Sequence, residues 1–188
     1  MLPIYLVHPI AVHFPIVLFV LVLVFDVIIV ARGGDLTARA GLPATAFWLT
    51  WAGLLTALVA AAFGDIAMEH AAQAGLPTEH IEEHEGFAHI TILIFAMLAI
   101  LLSVLRWKNV SMAGIRGALF TIAVLAGVVS VGFTAAHGGH LVYEMGINVR
   151  GVTPTMAADL AAQHEAHDAH EHHHDDAQEH AAPSPQPQ

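Results

Sequence analysis

The sequence predicts an all-α membrane protein, in which four transmembrane helices form an up-down bundle and a disordered, histidine-rich C-terminal tail follows. Hydrophobic residues make up 56% of the 188 residues and charged residues only 12%, against about 25% charged residues in a soluble domain. The apolar residues gather into four runs, each long enough to cross a hydrocarbon core about 30 Å thick. Cysteine is absent from the sequence, which excludes disulfides, thiolate metal sites and cysteine-held iron–sulfur clusters.

Each apolar run justifies one helix, and none of the runs has the alternation that is typical of strands. The first run lacks a basic start and continues well past the length of a signal-peptide core, so we expect a retained helix. Pro9 suits the first turn of that helix, whereas Pro15 lies inside it and predicts a kink. The predicted spans are residues 9–31, 44–67, 84–107 and 115–136.

The basic residues predict how the bundle is oriented. Five of the six Lys and Arg residues flank two connections, the one between spans one and two and the one between spans three and four. The positive-inside rule makes those connections cytoplasmic. We therefore expect a multi-pass protein of the inner membrane with both termini on the periplasmic side, where all 15 histidines would also lie. The five residues are Arg32, Arg39, Arg106, Lys108 and Arg116.

The predicted transmembrane domain covers residues 1–152, and the acidic tail covers residues 153–188. The tail has seven acidic residues, seven histidines and no Lys or Arg, so it is too polar to bury a core and is no basic arm for nucleic acid. Four of its histidines follow one another at steps of three or four residues and would form one chelating stripe on a helix, or a weak metal site in loose coil. They are His164, His167, His170 and His174.

The third and fourth predicted helices each carry a stripe of small residues, and such stripes mark helix contacts in membranes. His89 lies on the stripe of the third helix, and His137 continues the stripe of the fourth. His84 lies on a different face, with Phe95 and Leu98, which we expect to face lipid. His89 and His137 are therefore predicted to point into the bundle.

Three histidines are predicted to lie in one layer near the outer membrane surface. Helix lengths counted from the cytoplasmic arginines place His13, His89 and His137 at about 28, 26 and 32 Å from them. A layer of this kind between apolar helices suits b-type haem held by two imidazoles. We expect His13 and His89 as the axial pair, with His137 third. The alternative is that these histidines only present their polar edges to headgroups or cap helix ends.

A second candidate group precedes the third helix, where His80 and His84 lie four residues apart on one helical face with Glu83 beside them. This spacing suits Zn²⁺ or another borderline divalent ion such as Cu²⁺ or Ni²⁺. The acidic residues of the segment also suit the positive end of a helix dipole without any metal. Metal binding on the periplasmic side therefore stays open as the main alternative to haem.

Several short strings resemble the signature of a known family. They are HPIAVHFP at residues 8–15, GD at 64–65, GGHLVY at 138–143 and GINV at 146–149. Together they resemble the prokaryotic membrane family catalogued as domain of unknown function 2231. The resemblance implies four membrane helices and no assigned activity. Some relatives carry a Rieske iron–sulfur domain, which implies electron transfer with a separate partner here, because this chain has no cysteine.

The sequence thus favours a b-type haem-binding, electron-transferring membrane subunit that exchanges electrons with a periplasmic redox protein or a quinone, within a membrane complex. The alternatives are the handling of divalent metal at the outer surface and a cofactor-free accessory role. An enzyme acting on a small substrate is least supported, because no nucleophile–base pair and no phosphate-binding loop is visible.

Overall fold

The structure is a computed structural model that describes residues 4–73 and 79–146, together with Met156, Asp159 and Ala162. All regular elements within the two described ranges are helical. Four segments are long and apolar enough to cross a membrane, and the chain is a multi-pass membrane protein. A 3₁₀ turn at Ile4–Leu6 precedes the helices α1 (Val7–Ala11), α2 (His13–Ala31), α3 (Gly41–Gln73), α4 (Glu79–Trp107) and α5 (Ile115–Tyr143).

The first membrane span is interrupted near its beginning. Val12 separates α1 from α2, and the two helices together form the span Val7–Ala31. Pro15 has no N–H to donate to the carbonyl of Ala11, so the regular hydrogen bonding of the helix fails at this point. The interruption at Val12 lies where Pro15 removes a hydrogen bond, and the kink stays a prediction.

The four spans form the predicted up-down bundle, in which each span packs against its neighbours in sequence and α2 also packs against α5. This arrangement places α2 diagonally opposite α4. Phe19 of α2 and Phe95 of α4 meet across the diagonal, where their rings stack with centroids 3.5 Å apart and an interplanar angle of 6°. A Cβ at Gly53 would lie 2.6 Å from the Phe19 ring and one at Gly127 would lie 2.9 Å from the Phe95 ring, so these glycines make room for the stack.

The face of α4 that points into the bundle differs from the predicted one. Phe95 is 0% and Leu98 8% exposed, whereas the side chain of His89 is 61% exposed. The prediction that His89 faces inward and that the His84 face meets lipid is therefore wrong. The glycines of α3 and α5 leave space at the centre of the bundle, and the large side chains of α4 fill it, because close packing holds helices together in lipid.

Three of the helices run past the spans predicted for them. The 33 residues of α3 extend about 50 Å, which is longer than a hydrocarbon core of about 30 Å. The helix does not end with its apolar run but continues into the polar residues that follow. We call the end formed by α1, the C-termini of α3 and α5 and the N-terminus of α4 the histidine end. The opposite end, which holds the loops at residues 32–40 and 108–114, is called the arginine end.

Arginine side chains join the two loops of the arginine end. Arg39 donates through Nη2 to the carbonyl of Arg106 at 2.9 Å and to Oδ1 of Asn109 at 3.1 Å. Arg106 donates to the carbonyl of Ala38 at 2.9 Å, and its guanidinium lies 4.3 Å above the centroid of the Phe47 ring. These bonds hold α2, α3 and α4 in register at this end of the bundle.

Asp35 connects the same two loops. Its Oδ1 accepts hydrogen bonds from the backbone N–H and the hydroxyl of Thr37, at 2.9 and 2.6 Å, and from the backbone N–H of Met112 at 2.9 Å. Burial of the carboxylate raises its pKa, but hydrogen bonds from Ser111, Thr37 and Met112 outweigh burial and lower the pKa from 3.8 to about 2. Asp35 is therefore ionised at every pH at which the protein is expected to work.

We expect Asp35→Asn to lower the melting temperature at pH 7 by about 2–4 °C, which corresponds to about 1 kcal/mol for a chain of this size. The pKa of Asp35 is lowered in the folded protein, so its contribution is complete above 3.8 and is lost as the pH falls towards about 2. Thermal unfolding in detergent at pH 7 and near pH 2 measures this, with the exposed Glu69→Gln as control. An equal difference between variant and wild type at both pH values would contradict it.

Candidate histidine site inside the bundle

His8 of α1 and His84 of α4 face each other inside the histidine end. Their ring centroids are 6.3 Å apart, and the ring planes are inclined by 85°. Both residues are half-buried. Two imidazoles from different helices therefore meet between the helices and not on the outer surface of the bundle.

Each imidazole hydrogen-bonds to the backbone of a neighbouring helix. Nδ1 of His8 lies 2.8 Å from the carbonyl oxygen of Ala60 on α3, and the ring of His84 hydrogen-bonds to the backbone of Thr134 on α5. The bond at Nδ1 of His8 makes that nitrogen the donor and leaves Nε2 with its lone pair. Nδ1 of His84 is buried and has no hydrogen-bond partner in the described part of the chain. His8 thus has Nδ1 held by the backbone and Nε2 available as a ligand, and His84 offers its unpartnered Nδ1.

Each imidazole also packs against a glycine that lies one helical turn beyond the residue it bonds to. A Cβ at Gly64 would lie 3.2 Å from Cε1 of His8, and a Cβ at Gly138 would lie 3.0 Å from Cε1 of His84. A side chain at either glycine would therefore push the ring aside. The same arrangement of backbone hydrogen bond and glycine occurs twice, once on α3 and once on α5, and it fixes the position of both rings.

Two cavities adjoin the histidine pair. The upper cavity has a volume of about 260 Å³ and extends towards the histidine end, where Asp65 and Met68 line it. The lower cavity has a volume of about 370 Å³ and extends deeper into the bundle, to Phe19 and Thr91. The cavities therefore lie above and below the pair along the bundle. Both are lined by His8, Pro9, Ala61, His84, Ala88, Gly138 and Val142.

Three hydroxyl groups join α4 to α5 beside the lower cavity. Oγ1 of Thr91 lies 2.7 Å from Oγ of Ser130 and 3.0 Å from Oγ1 of Thr134. Thr91 also donates to the carbonyl of Phe87, and Thr134 donates to the carbonyl of Ser130. Hydrogen bonds between helices stabilise association in lipid, so this cluster fixes the wall of the cavity that carries His84.

The three histidines predicted as haem ligands occupy different surroundings, and no described contact joins two of them. His13 is exposed and lies at the edge of the lower cavity. His89 is exposed, with Nδ1 3.9 Å from Oε1 of Glu85. His137 packs against Phe87, with ring centroids 4.4 Å apart and the ring planes inclined by 37°. The structure brings His8 and His84 together instead.

Two of the residues predicted as metal ligands on α4, His84 and Glu83, lie in different surroundings. His84 is half-buried, whereas Glu83 is exposed and lines a separate surface cavity with His137 and His140. The side chain of His80 lies outside the described part. Within residues 4–73 and 79–146, no three His, Asp or Glu side chains are close enough to hold a metal ion. The predicted stripe of the tail also lies outside the described residues, namely His164, His167, His170 and His174.

Sequence reasoning did not single out His8, although the sequence contains a signal for it. His8 precedes Arg32 by 24 residues and His84 precedes Arg106 by 22, which places them at about 36 and 33 Å from the arginine end. The two histidines therefore have matching depths. Both histidines lie at the edges of the apolar runs. A comparison of depths that is restricted to histidines well inside the runs therefore omits His8.

A family described as "Predicted membrane protein (DUF2231)" matches residues 5–151. No curated protein and no solved structure was found to match the chain. The matched range contains α1 to α5 and all four strings noted above, and those at residues 8–15, 64–65 and 138–143 supply His8, Gly64 and Gly138 to the histidine site. Because the match covers most of the chain, the protein belongs to the DUF2231 family of membrane proteins.

Proposed function

We propose that the protein binds haem b between His8 and His84 and transfers electrons at the histidine end of the bundle. The observation that carries the proposal is the facing pair of imidazoles with a cavity on each side along the bundle. The pair replaces the ligands expected from sequence, His13 and His89, which are exposed. The proposed cofactor is still b-type haem, which the sequence also favours.

The number of available ligands favours haem over a bare metal ion. The porphyrin supplies four nitrogens to the iron, so the protein needs to provide only two axial ligands, and cofactor sites of this kind occur inside helical bundles. A zinc site needs three or four ligands from the protein. No group of three His, Asp or Glu ligands is present within the described ranges, whereas a pair of imidazoles is present.

The separation of the rings suits two ligands on opposite sides of one metal. Metal–imidazole bonds are about 2.0–2.1 Å long, so two opposed imidazoles hold their centroids roughly 6 Å apart. His8 and His84 have centroids 6.3 Å apart. His8 and His84 would hold the haem, and the residues that line the two cavities would surround it. With volumes of about 260 and 370 Å³, the two cavities together fall within the range of about 300–1,000 Å³ that is usual for ligand sites.

The backbone hydrogen bonds add to this support. Imidazoles that ligate metals usually donate their other N–H to a carbonyl or carboxylate, which fixes the tautomer and the ring orientation. Nδ1 of His8 has such a partner in the carbonyl of Ala60, and the ring of His84 has one in the backbone of Thr134. The site is therefore organised before any cofactor arrives.

The absorption spectrum of the detergent-purified protein tests the proposal. We expect one haem b per chain after expression with sufficient haem, and sharp bands after reduction with dithionite. Extraction with acidic solvent should release the haem, because nothing in this sequence without cysteine can attach it as c-type haem is attached. A protein that stays colourless, and that takes up no haem when haem is added, would refute the proposal.

Copper is the second candidate, and one observation favours it. Met68 lines the upper cavity together with His8 and His84, and a thioether with two imidazoles suits Cu(I). Elemental analysis of the same preparation separates the candidates, because a copper protein would contain stoichiometric copper and show no haem bands. Met68→Leu should lower the copper content of a copper protein, whereas it should leave the haem content of a haem protein unchanged.

The proposed orientation places the histidine end on the periplasmic side of the inner membrane, where a redox protein or a quinone exchanges electrons with the site. The support is the arginine end, where five of the six basic residues lie in the two loops or in the helix ends next to them. We expect a C-terminal alkaline phosphatase fusion to be active in a bacterial host and a C-terminal green fluorescent fusion to be dark. The opposite pair of results would place the histidine site on the cytoplasmic side.

A further inference from the structure

Asp26 is an acidic side chain buried inside the first membrane span. It lies on the buried face of α2 together with Phe19, Val22 and Ile29, and it is 2% exposed. Its Oδ2 is buried and has no hydrogen-bond partner in the described part of the chain. Burying a polar group without a partner is unfavourable, so packing alone does not explain an acid at this position. Ionisable groups inside membrane spans usually serve a function.

The helices beside this part of α2 provide Asp26 with no counter-ion along their described spans. Charged residues and histidines are absent from the stretches that run alongside, namely residues 41–64 of α3, 90–105 of α4 and 117–136 of α5. The titratable groups beyond those stretches at the arginine end are Arg32, Asp35, Arg39, Arg106, Lys108 and Arg116. Arg32 and Arg116 are exposed, and Arg39 and Arg106 are bonded to the loops. Apolar surroundings of this kind make a carboxylate far more costly than a neutral acid.

The hydroxyl groups near Asp26 are used elsewhere. A Cβ at Gly117 of α5 would lie 3.3 Å from Cγ2 of Val30, and one turn further along both helices Thr121 and Asp26 lie at the same height. The hydroxyl of Thr121 donates to the carbonyl of Gly117 at 3.0 Å. The buried Thr50 on α3 likewise donates to a carbonyl of its own helix, at 2.9 Å. Neither hydroxyl therefore stabilises a carboxylate at Asp26.

The bundle is closed between Asp26 and the histidine end. Phe19, two turns from Asp26 on the same face, stacks on Phe95 across the diagonal, and these residues are 1% and 0% exposed. Asp26 lines neither cavity of the histidine site. In the other direction, Ile29 is the buried residue of this face between Asp26 and Arg32, where α2 ends, and the distance along the axis is about 9 Å. A proton therefore reaches Asp26 most directly from the arginine end.

We infer that Asp26 is a proton-binding site inside the membrane, which exchanges its proton with the arginine end and is closed off from the histidine end by the Phe19–Phe95 stack. A proton needs one carboxyl oxygen. Hard metal ions take about six or more oxygen ligands, and no three His, Asp or Glu side chains converge within the described ranges. The site lies outside both cavities assigned to the cofactor, so the inference goes beyond the proposed function and does not depend on haem.

Infrared spectroscopy tests whether the group is protonated. The C=O stretch of a neutral carboxylic acid is separate from the bands of carboxylates and shifts in heavy water. We expect such a band from the wild type in lipid vesicles at pH 7, its loss in Asp26→Asn and its retention in Glu69→Gln, which removes an exposed acid. Equal spectra of the wild type and Asp26→Asn in this region would overturn the inference.

Labelling with dicyclohexylcarbodiimide in sealed membrane vesicles tests the route of the proton. This lipid-soluble reagent takes the proton of a neutral acid on a nitrogen while the carboxylate oxygen bonds to its central carbon, and the adduct rearranges to a stable N-acylurea without loss of atoms. Mass spectrometry should find the label on Asp26 and not on the exposed Asp65 and Glu69.

We expect the label on Asp26 to disappear when the pH is raised from about 6 to about 9 in the compartment that the arginine end faces. It should stay when the pH of the other compartment alone is raised. The fusions described above identify the two compartments. Label that follows the pH at the histidine end, or no label on Asp26 at either pH, would overturn the inference, and neither result bears on the haem proposal.

Discussion

His8→Ala and His84→Ala should each lower the haem content of the purified protein by at least about tenfold. Loss of a residue that only orients a metal ligand costs about 10–100-fold in affinity, and loss of the ligand itself should cost no less. Added imidazole should restore part of the reduced band in both variants, because each substitution leaves a space of the right shape beside the cavities. Haem content per chain and the reduced-minus-oxidised spectrum measure the effect.

His89→Ala and His13→Ala are the matched controls for this prediction. His89 lines the upper cavity and His13 lines the lower one, but both are exposed, unlike His8 and His84. We expect both variants to retain the haem of the wild type. If they lose it while His8→Ala and His84→Ala keep it, the ligands expected from sequence are the right ones and the facing pair is not the site.

The bundle could be predicted from sequence because membrane insertion depends on coarse properties. Four apolar runs, two short arginine-bearing connections and one inner proline were sufficient to predict the spans, the diagonal arrangement and the interruption near Val12. The ends of the helices could not be predicted in the same way. Hydropathy predicts only the part of a helix that lies in lipid. It therefore does not predict the end of α3, which continues through polar residues to Gln73.

The rotation of α4 was the step that sequence reasoning missed. A stripe of small residues marks a surface for close helix contact, but it does not decide which face of a helix points to the centre of a four-helix bundle. Here the central space is set by glycines on other helices, Gly53 and Gly127, and Phe95 fills it. Because His84 lies on the same face as Phe95, the packing of one phenylalanine decides which histidine enters the bundle.

The glycines beside the imidazoles should be as important to the site as the histidines. A Cβ at Gly138 would lie 3.0 Å from Cε1 of His84, and a Cβ at Gly64 would lie 3.2 Å from Cε1 of His8. These distances are closer than ordinary contact, so alanine forces each ring to move by a few tenths of an ångström and valine forces it further. A ligand bond tolerates such movement poorly, because its length is fixed within about 0.2 Å.

We therefore expect Gly138→Ala to weaken haem binding severalfold and Gly138→Val to abolish it, with the same order at Gly64. Alanine is more favourable than glycine inside a helix by about 0.8–1.0 kcal/mol, so the haem-free Gly138→Ala protein should unfold at the same temperature as the wild type or higher. Binding and stability then change in opposite directions, which separates a positioning role from a folding defect. Gly86→Ala on α4, where an added Cβ meets nothing within 4 Å, should leave haem binding unchanged. Haem titration and thermal unfolding of the same preparations measure both quantities, and full haem affinity in Gly138→Val would show that His84 is not a ligand.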